Sequence, residues 1–459
     1  MKNFLFCLAL ALAAQLGHAQ QTPEHISYSD QQAKAEQRLW NDPVWKKPYQ
    51  ATLSEDEKLA GLSRFWSEAK YNFAYFDKVP NLSWDSLYLA TIPKVRAAPT
   101  TRDYYRVLQE MCAQLRDGHT NVYAPKELRE ETQQRPPLRT ALVEGQVLLM
   151  EVNSETLRRL GLVPGQEVVA VDGVPVHDYA AQRAPLQSAS TPQDRAVRTY
   201  TYTLLQGPAR QPVALTLRDA KGRTFTKSVP RSGYPTAETA AKRPLLEVKL
   251  LKGNVGYVAL NSFDDPALVP QFAQAYPQLS RTSALVIDVR ANGGGNSDHG
   301  YAVLSYLTDQ PFRTSRWMTR EYHPAFRAWG QRPQWYSELD APFPPKSAAP
   351  YTKPVVVLTS ARTYSAAEDF AVAFDELKRG KIIGEPTGGS TGQPLSFALP
   401  GGGSARVCTK RDTYPDGKEF VGVGVQPQVV VRPTVRDVRS GRDAVLEAAL
   451  KELKVKSKS

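Results

Sequence analysis

Histidine and cysteine are scarce in this chain of 459 residues, with six and three copies. Cys7 and His18 fall in the first 19 residues, which read as an export signal. Lys2 gives a positive start, Phe4 to Ala14 an apolar core, and Gly17-His18-Ala19 small residues before a cleavage point. That leaves Cys112 and Cys408, too few for a disulfide framework. Neither has Cys or His neighbours at ligand spacing, so no metal site is expected. A histidine base can come only from His25, His119, His177, His299 or His323. Long apolar runs are also missing. The signal core is too short to span a bilayer as a helix, and nothing later is longer. The mature chain is therefore expected to be exported, periplasmic or secreted, without a membrane span. Blocks of like charge are absent too. The formal charge of +12 is scattered, no nucleic-acid module accompanies it, and neither G-x-x-x-x-G-K-[ST] nor G-x-G-x-x-G occurs. No nucleic-acid partner and no cofactor are expected.

What is present centres on residues 355–374. Val355-Val-Val-Leu358 is a continuous apolar run, suited to a strand buried on both faces of a parallel sheet. A polar turn follows, and Phe370, Phe374 and Leu377 then recur at helical spacing. Ser365 thus sits where a buried strand becomes a helix, beside free backbone N–H groups. The same residues fit a capping box, Ser365-Ala-Ala-Glu368, which needs no catalysis.

Taken in order, residues 20–50 read as a flexible lead-in. Residues 51–133 read as a helical domain, opened by Ser54 as N-cap with acids in the first turn. It ends at Asp117-Gly-His119, where Gly118 leaves His119 on a turn. Residues 139–232 change to short strands. Their run Gly161-Leu-Val-Pro-Gly165 to Asp172-Gly173 looks like a PDZ domain, interrupted by a long insertion at 177–206. Such a domain binds extended peptide at a sheet edge, which places Gly161 and Leu162 near a substrate groove. Residues 245–435 carry a β-α-β pattern and the turn Arg290-Ala-Asn-Gly-Gly-Gly-Asn296, a candidate anion nest. Residues 311–353 read as a loop or lid, and 436–459 as a closing helix and tail.

As a set, Asp117-Gly-His119, the PDZ-like run, Asp288-Val-Arg-Ala-Asn-Gly-Gly-Gly295, Thr363-Tyr-Ser-Ala-Ala-Glu368, Gly384-Glu-Pro-Thr-Gly388 and Gly424-Val-Gln-Pro427 resemble the tail-specific or C-terminal processing peptidase family. The resemblance implies an α/β fold: a crotonase/ClpP-like core, an N-terminal helical domain and an inserted PDZ-like β domain. It implies a serine peptidase acting on polypeptides, with Ser365 as nucleophile. One branch of the family pairs serine with a lysine. Here Ser390 stands at that position, so the chain is closer to the tricorn-like branch, which takes its base from an upstream motif matched by His119. The resemblance further implies an oxyanion hole from Gly294, Gly295 and Ala366, and an orienting acid, assigned to Glu419. Two other readings stay open: an esterase, and a non-catalytic binder of peptide or lipophilic ligand on the same fold.

Overall fold

The computed structural model describes residues 29–40, 42–232, 243–338, 340–346 and 349–453. The expected export signal lies outside them. The chain divides into two units, residues 1–46 and 47–459. In the first, α1 (Asp30–Trp40) is helical where a flexible lead-in was expected.

In the second unit, helices come first. α2 (Glu55–Asn72) starts as its sequence predicts: Ser54 accepts from Glu57 N–H, and the Glu57 carboxylate accepts from Ser54 N–H. α3 (Trp84–Ala97) packs against it, and α4 (Thr101–Ala113) packs against α3. Beyond α4 the chain turns through His119 into β1 (Asn121–Tyr123).

The next strands are β2 (Leu138–Val143), β3 (Gln146–Val152), β4 (Glu167–Val171), β5 (Val213–Arg218) and β6 (Thr224–Val229). They form an antiparallel sheet in that order, around a core of their own that includes Leu149, Leu162, Val168 and Leu215. The Asp172-Gly173 hairpin forms as expected, with φ of 51° and 80°. The insertion is helical: α5 (Pro192–Ala196), capped by Thr191, continues into a π-helical run, Val197–Thr203.

The sheet that carries the site contains β7 (Leu246–Leu251), β8 (Val255–Leu260), β9 (Ala284–Asp288), β12 (Val355–Thr359), β13 (Gly380–Gly384) and β17 (Val429–Val430). Its order is β17-β13-β12-β9-β8-β7, parallel except for β7 against β8. Every residue of β9 and β12 is buried, as their unbroken apolar runs require. Alternate residues serve two cores. Leu285, Ile287, Val355 and Val357 pack with α8 (Ala366–Glu376), whereas Val286, Val356 and Leu358 pack with α10 (Ala444–Glu452). α8 buries Phe370 and Phe374 completely, each worth about 1.5–3 kcal/mol. The first core runs on into Leu62, Phe65 and Leu108. Residues 51–133 therefore share a core with the sheet and close none of their own. Further helices include α6 (Leu268–Leu279), α7 (Ser297–Leu304) and α9 (Val435–Ser440).

Two small sheets flank the site. β15 (Gly403–Cys408) pairs with β14 (Pro394–Leu399) on one side and with β1 on the other, which ties the His119 turn to the chain beyond Ser365. The expected lid contains β10 (Arg316–Glu321) and β11 (Gln334–Glu338), in a ladder with β16 (Lys410–Thr413).

Candidate active site

Ser365 is held in a backbone conformation that serine rarely adopts, with φ of 55°. Such a position costs of order 1–3 kcal/mol and persists only when its surroundings enforce it. They do. Thr363 Oγ1 donates to Val289 O at 2.9 Å, Ser360 Oγ to Arg290 O at 2.7 Å, and Tyr364 N–H to Asn292 O at 3.1 Å. The serine turn is thereby fastened to the glycine turn after β9. Ser365 caps α8, and the Glu368 carboxylate accepts from Ser365 N–H at 3.2 Å.

His119 Nε2 lies 3.0 Å from Ser365 Oγ, and its Nδ1 lies 2.8 Å from Ser390 Oγ. If Nε2 accepts the serine proton, Nδ1 carries the ring proton and donates it to Ser390. His119 is 4% exposed. Burial, then the charges of Arg406, Arg198 and Lys410, hold its pKa well below the usual histidine value, so the ring is neutral at pH 7. The imidazole stacks on Tyr364, with centroids 5.0 Å apart and planes 8° apart.

Two further groups fix this geometry. Glu368 is fully buried and accepts from Ser365 N–H, Thr387 Oγ1, Gly389 N–H and Ser390 N–H. Burial pushes its pKa up to about 8, against the donors from Thr387, Ser390 and Gly389. It joins the serine to the loop that presents Ser390. From the insertion, Arg198 Nη2 donates to Tyr364 OH at 2.9 Å and to Gly118 O at 3.0 Å, while Asp194 holds its Nε at 2.8 Å. Asp117 is buried too and accepts from Thr120 and Ser190 hydroxyls. The His119 turn is clamped from both sides.

The glycine turn lies against the serine. A Cβ on Gly294 would stand 2.6 Å from Ser365 Cβ. Gly294 N–H, however, donates to Asn292 Oδ1 at 2.9 Å. No described residue accepts from Gly295 N–H or Ala366 N–H. Of the three expected donors, Gly295 and Ala366 are therefore the ones available to an incoming oxygen, and Gly294 supplies clearance. A cleft of about 790 Å³ opens beside them, lined by Gly295, Ser365 and Ala366 and floored by Asp369, Lys410 and Asp412.

Other expectations fall elsewhere. Glu419 lies on the surface side of the β16 region, its carboxylate taken by Lys78 at 2.7 Å and by Arg411. The atom that meets His119 Nδ1 belongs to Ser390, which stood in the sequence as the residue in the lysine's place. Leu162 is fully buried in the β2–β6 core, whereas Gly161 is exposed and its O accepts from Gln166 Nε2. Ser390, Glu368, Tyr364 and Arg198 were not assigned from sequence. Only Glu368 had a signal there, the S-x-x-E spacing. Cys112 and Cys408 are free and buried, and burial pushes the Cys112 thiol up to about 12. Among the described residues no cluster of His, Cys, Asp and Glu could hold a metal ion, and no helix is long and apolar enough to cross a membrane.

Comparison with known proteins fits this geometry. The pattern of peptidase family S41 matches residues 254–431, which contain the glycine turn, Ser365 and Ser390. The C-terminal processing peptidase of Tetradesmus obliquus chloroplasts is 25% identical over 378 residues, 79% of this chain and 75% of its own. A carboxyl-terminal-processing protease of Synechocystis is 23% identical over 428 residues, 88% of each chain. The crystal structure of mature CPAF superposes with a TM-score of 0.66 at 17% identity, covering 88% of this chain and 99% of that one. The last is a likeness of fold, a mixed α/β fold with small antiparallel sheets set into it. The family pattern runs through the serine turn and relatives align along most of the chain: residues 254–431 match peptidase family S41, the serine peptidases, and the chain is a homologue of C-terminal processing proteases.

Proposed function

We propose that the protein is an exported endopeptidase that cuts polypeptides at Ser365. His119 takes the serine proton through Nε2 as the hydroxyl attacks the scissile carbonyl. Gly295 and Ala366 N–H receive the oxyanion of the tetrahedral intermediate. His119 returns the proton to the leaving amine, and water releases the acyl group by the same steps in reverse order. Ser390 fixes the ring tautomer. Tyr364 and Arg198 act as positioning residues for the ring and for its turn. The β2–β6 domain is read as PDZ-like and as the element that engages substrate. Export rests on the N-terminal signal.

The observation that carries this reading is the 3.0 Å contact between His119 Nε2 and Ser365 Oγ across 246 residues of chain. A lipophilic carrier has no use for that contact, and a cleft floored by Asp369, Lys410 and Asp412 would desolvate charge to hold such a ligand. The test is labelling by a fluorophosphonate probe together with digestion of unstructured polypeptides, read by mass spectrometry. Wild type should label and cut. Ser365→Ala should do neither while unfolding within about 1–2 kcal/mol of wild type, the scale of a lost cap. Labelling without any peptide cleavage would favour an esterase.

A further inference from the structure

The cleft beside Ser365 carries a charge opposite to that of the chain. The whole sequence has a formal charge of +12. The cleft is lined by the carboxylates of Asp298, Asp340, Asp369 and Asp412 against the single ammonium of Lys410. These groups form two layers. Asp369 of α8 and Asp412 of β16 lie buried in the floor, 5% and 2% exposed. Lys410 Nζ reaches Asp412 Oδ1 at 3.0 Å, and the hydroxyls of Ser297 and Ser315 donate to Asp369 at 2.7 and 3.3 Å. One ammonium thus serves two carboxylates. Burial, and then the charge of Asp412, pushes the pKa of Asp369 up. The floor is short of positive charge, and a low-dielectric wall carries its field into the cleft.

The upper layer is within reach of a ligand. Asp298, in the first turn of α7, and Asp340, just beyond β11, are both exposed. Neither makes an ion pair among the described residues. An aromatic wall accompanies them. Trp317 of β10 lines the cleft and donates its indole N–H to Asp340 Oδ1 at 3.4 Å. Tyr336 of β11 stands opposite Thr319, another lining residue, so it shares that face of the ladder. Its ring centroid is 5.9 Å from that of Trp317. Ring faces attract cations as carboxylates do. Among the described residues no group of acids converges closely enough to hold a metal ion. A long organic cation suits the cleft better, and about 790 Å³ leaves room for one.

On the reading that the protein cuts polypeptides at Ser365, we propose that this cleft selects a lysine or arginine side chain of the substrate beside the bond that is cut. The methylenes of that side chain pack on Trp317, and its head group lies among Asp298, Asp340 and the aromatic wall. Asp369 and Asp412 act from below through their field, without touching it. An acidic side chain is repelled by the same groups. An aliphatic one strips water from the carboxylates and gives them no partner.

The test uses the Ser365→Ala protein, so that nothing is cut, and fluorescein-labelled unstructured peptides read by anisotropy at fixed ionic strength. The peptides are blocked at both ends and differ at one central residue: lysine, norleucine or glutamate. The lysine peptide should bind about tenfold tighter than the norleucine peptide, the scale of a charge-assisted contact, and the glutamate peptide weaker than either. Asp298→Asn combined with Asp340→Asn should erase the gain. Both positions are exposed, and thermal unfolding shows whether the fold is kept. Trp317→Leu should reduce the gain and Trp317→Phe retain most of it. Asp340→Lys should shift the preference toward glutamate. In wild type, mass spectrometry of a digested unstructured polypeptide should find lysine or arginine enriched next to the cuts. Equal binding of the lysine and norleucine peptides overturns the proposal. So does a preference that survives the double substitution, or cuts with no such enrichment. Binding is read without Ser365, so its failure leaves fluorophosphonate labelling of wild type untouched, and failed labelling leaves the binding preference standing.

Discussion

Two glycine turns invite the same sequence reading, residues 293–295 after β9 and residues 161–165 before β4. The structure separates them. At the first, a Cβ on Gly295 would stand 2.2 Å from the carbonyl carbon of Phe263, and one on Gly294 would meet Ser365 Cβ. At Gly161 an added Cβ meets nothing within 4 Å. Both turns need a positive φ, 135° at Gly295 and 85° at Gly161. Of these two residues only Gly295 also needs the missing side chain, because backbone must approach backbone there and leave an N–H facing the cleft. A glycine that serves conformation alone belongs to a hairpin. A glycine that also admits a close neighbour marks where something must fit.

The largest effect separating the turns should come from Gly295→Ala. The methyl group cannot enter without moving Phe263 or the turn, and the N–H loses its aim. A fall in kcat of about 10²–10³ is expected, the scale of a removed oxyanion donor. Steady-state kinetics on a peptide substrate checks this, with thermal unfolding to show that the variant is folded. Near-normal kcat in a folded Gly295→Ala protein would move the oxyanion site away from this turn.

Ser390→Ala should act less strongly. It removes the acceptor for His119 Nδ1 and leaves the Ser365 contact and the oxyanion donors in place. We expect kcat to drop roughly tenfold to a hundredfold, the lower range for general-base catalysis, with KM nearly unchanged. Ser390→Thr keeps the hydroxyl and should restore part of the rate. The pH profile gives an independent reading. Catalysis needs neutral His119, whose pKa burial and three cations depress. The acid limb of kcat/KM should therefore lie below pH 6.5, where an ordinary histidine would titrate. An acid limb at or above pH 6.5 would mean that His119 is not the titrating base, or that it is solvated in the working enzyme.

The comparison also shows what could be read without coordinates. β9, β12 and α8 were legible because their apolar patterns are long and their ends are marked, and Ser365 followed from where those patterns meet. His119 was legible by elimination among few histidines and by resemblance. Ser390 was passed over because a serine in a glycine-rich loop has no distinguishing pattern, and its role depends on which way the 387–390 loop folds over Glu368. Arg198 was hidden in an insertion whose helix lacks a clear amphipathic period and continues into a π-helical run. Glu419 was placed by strand alternation along the chain, but it makes only an isolated bridge to Thr413 before the chain turns at 421–423, and its carboxylate goes to Lys78 and Arg411. Side-chain direction in loops is set by long-range packing, which no local pattern encodes.

The smallest effect should come from Gly161→Ala. The substitution forces alanine to φ near +85°, a strain of about 1–2 kcal/mol for an L residue. It adds no clash, because the space around the Cβ is open. The turn holds its neighbours through Gly161 O and Gln166 Nε2, a bond that alanine retains. Leu162 remains the anchor in the β2–β6 core. Thermal unfolding should therefore shift modestly, while kcat/KM for a long polypeptide and for a short peptide should both stay at wild-type values. The pair of substrates is what makes the measurement decisive. If Gly161→Ala raised KM for the long polypeptide alone, the turn would be a capture element after all. The contrast between the two glycine turns would then be one of binding against catalysis, with both turns touching substrate.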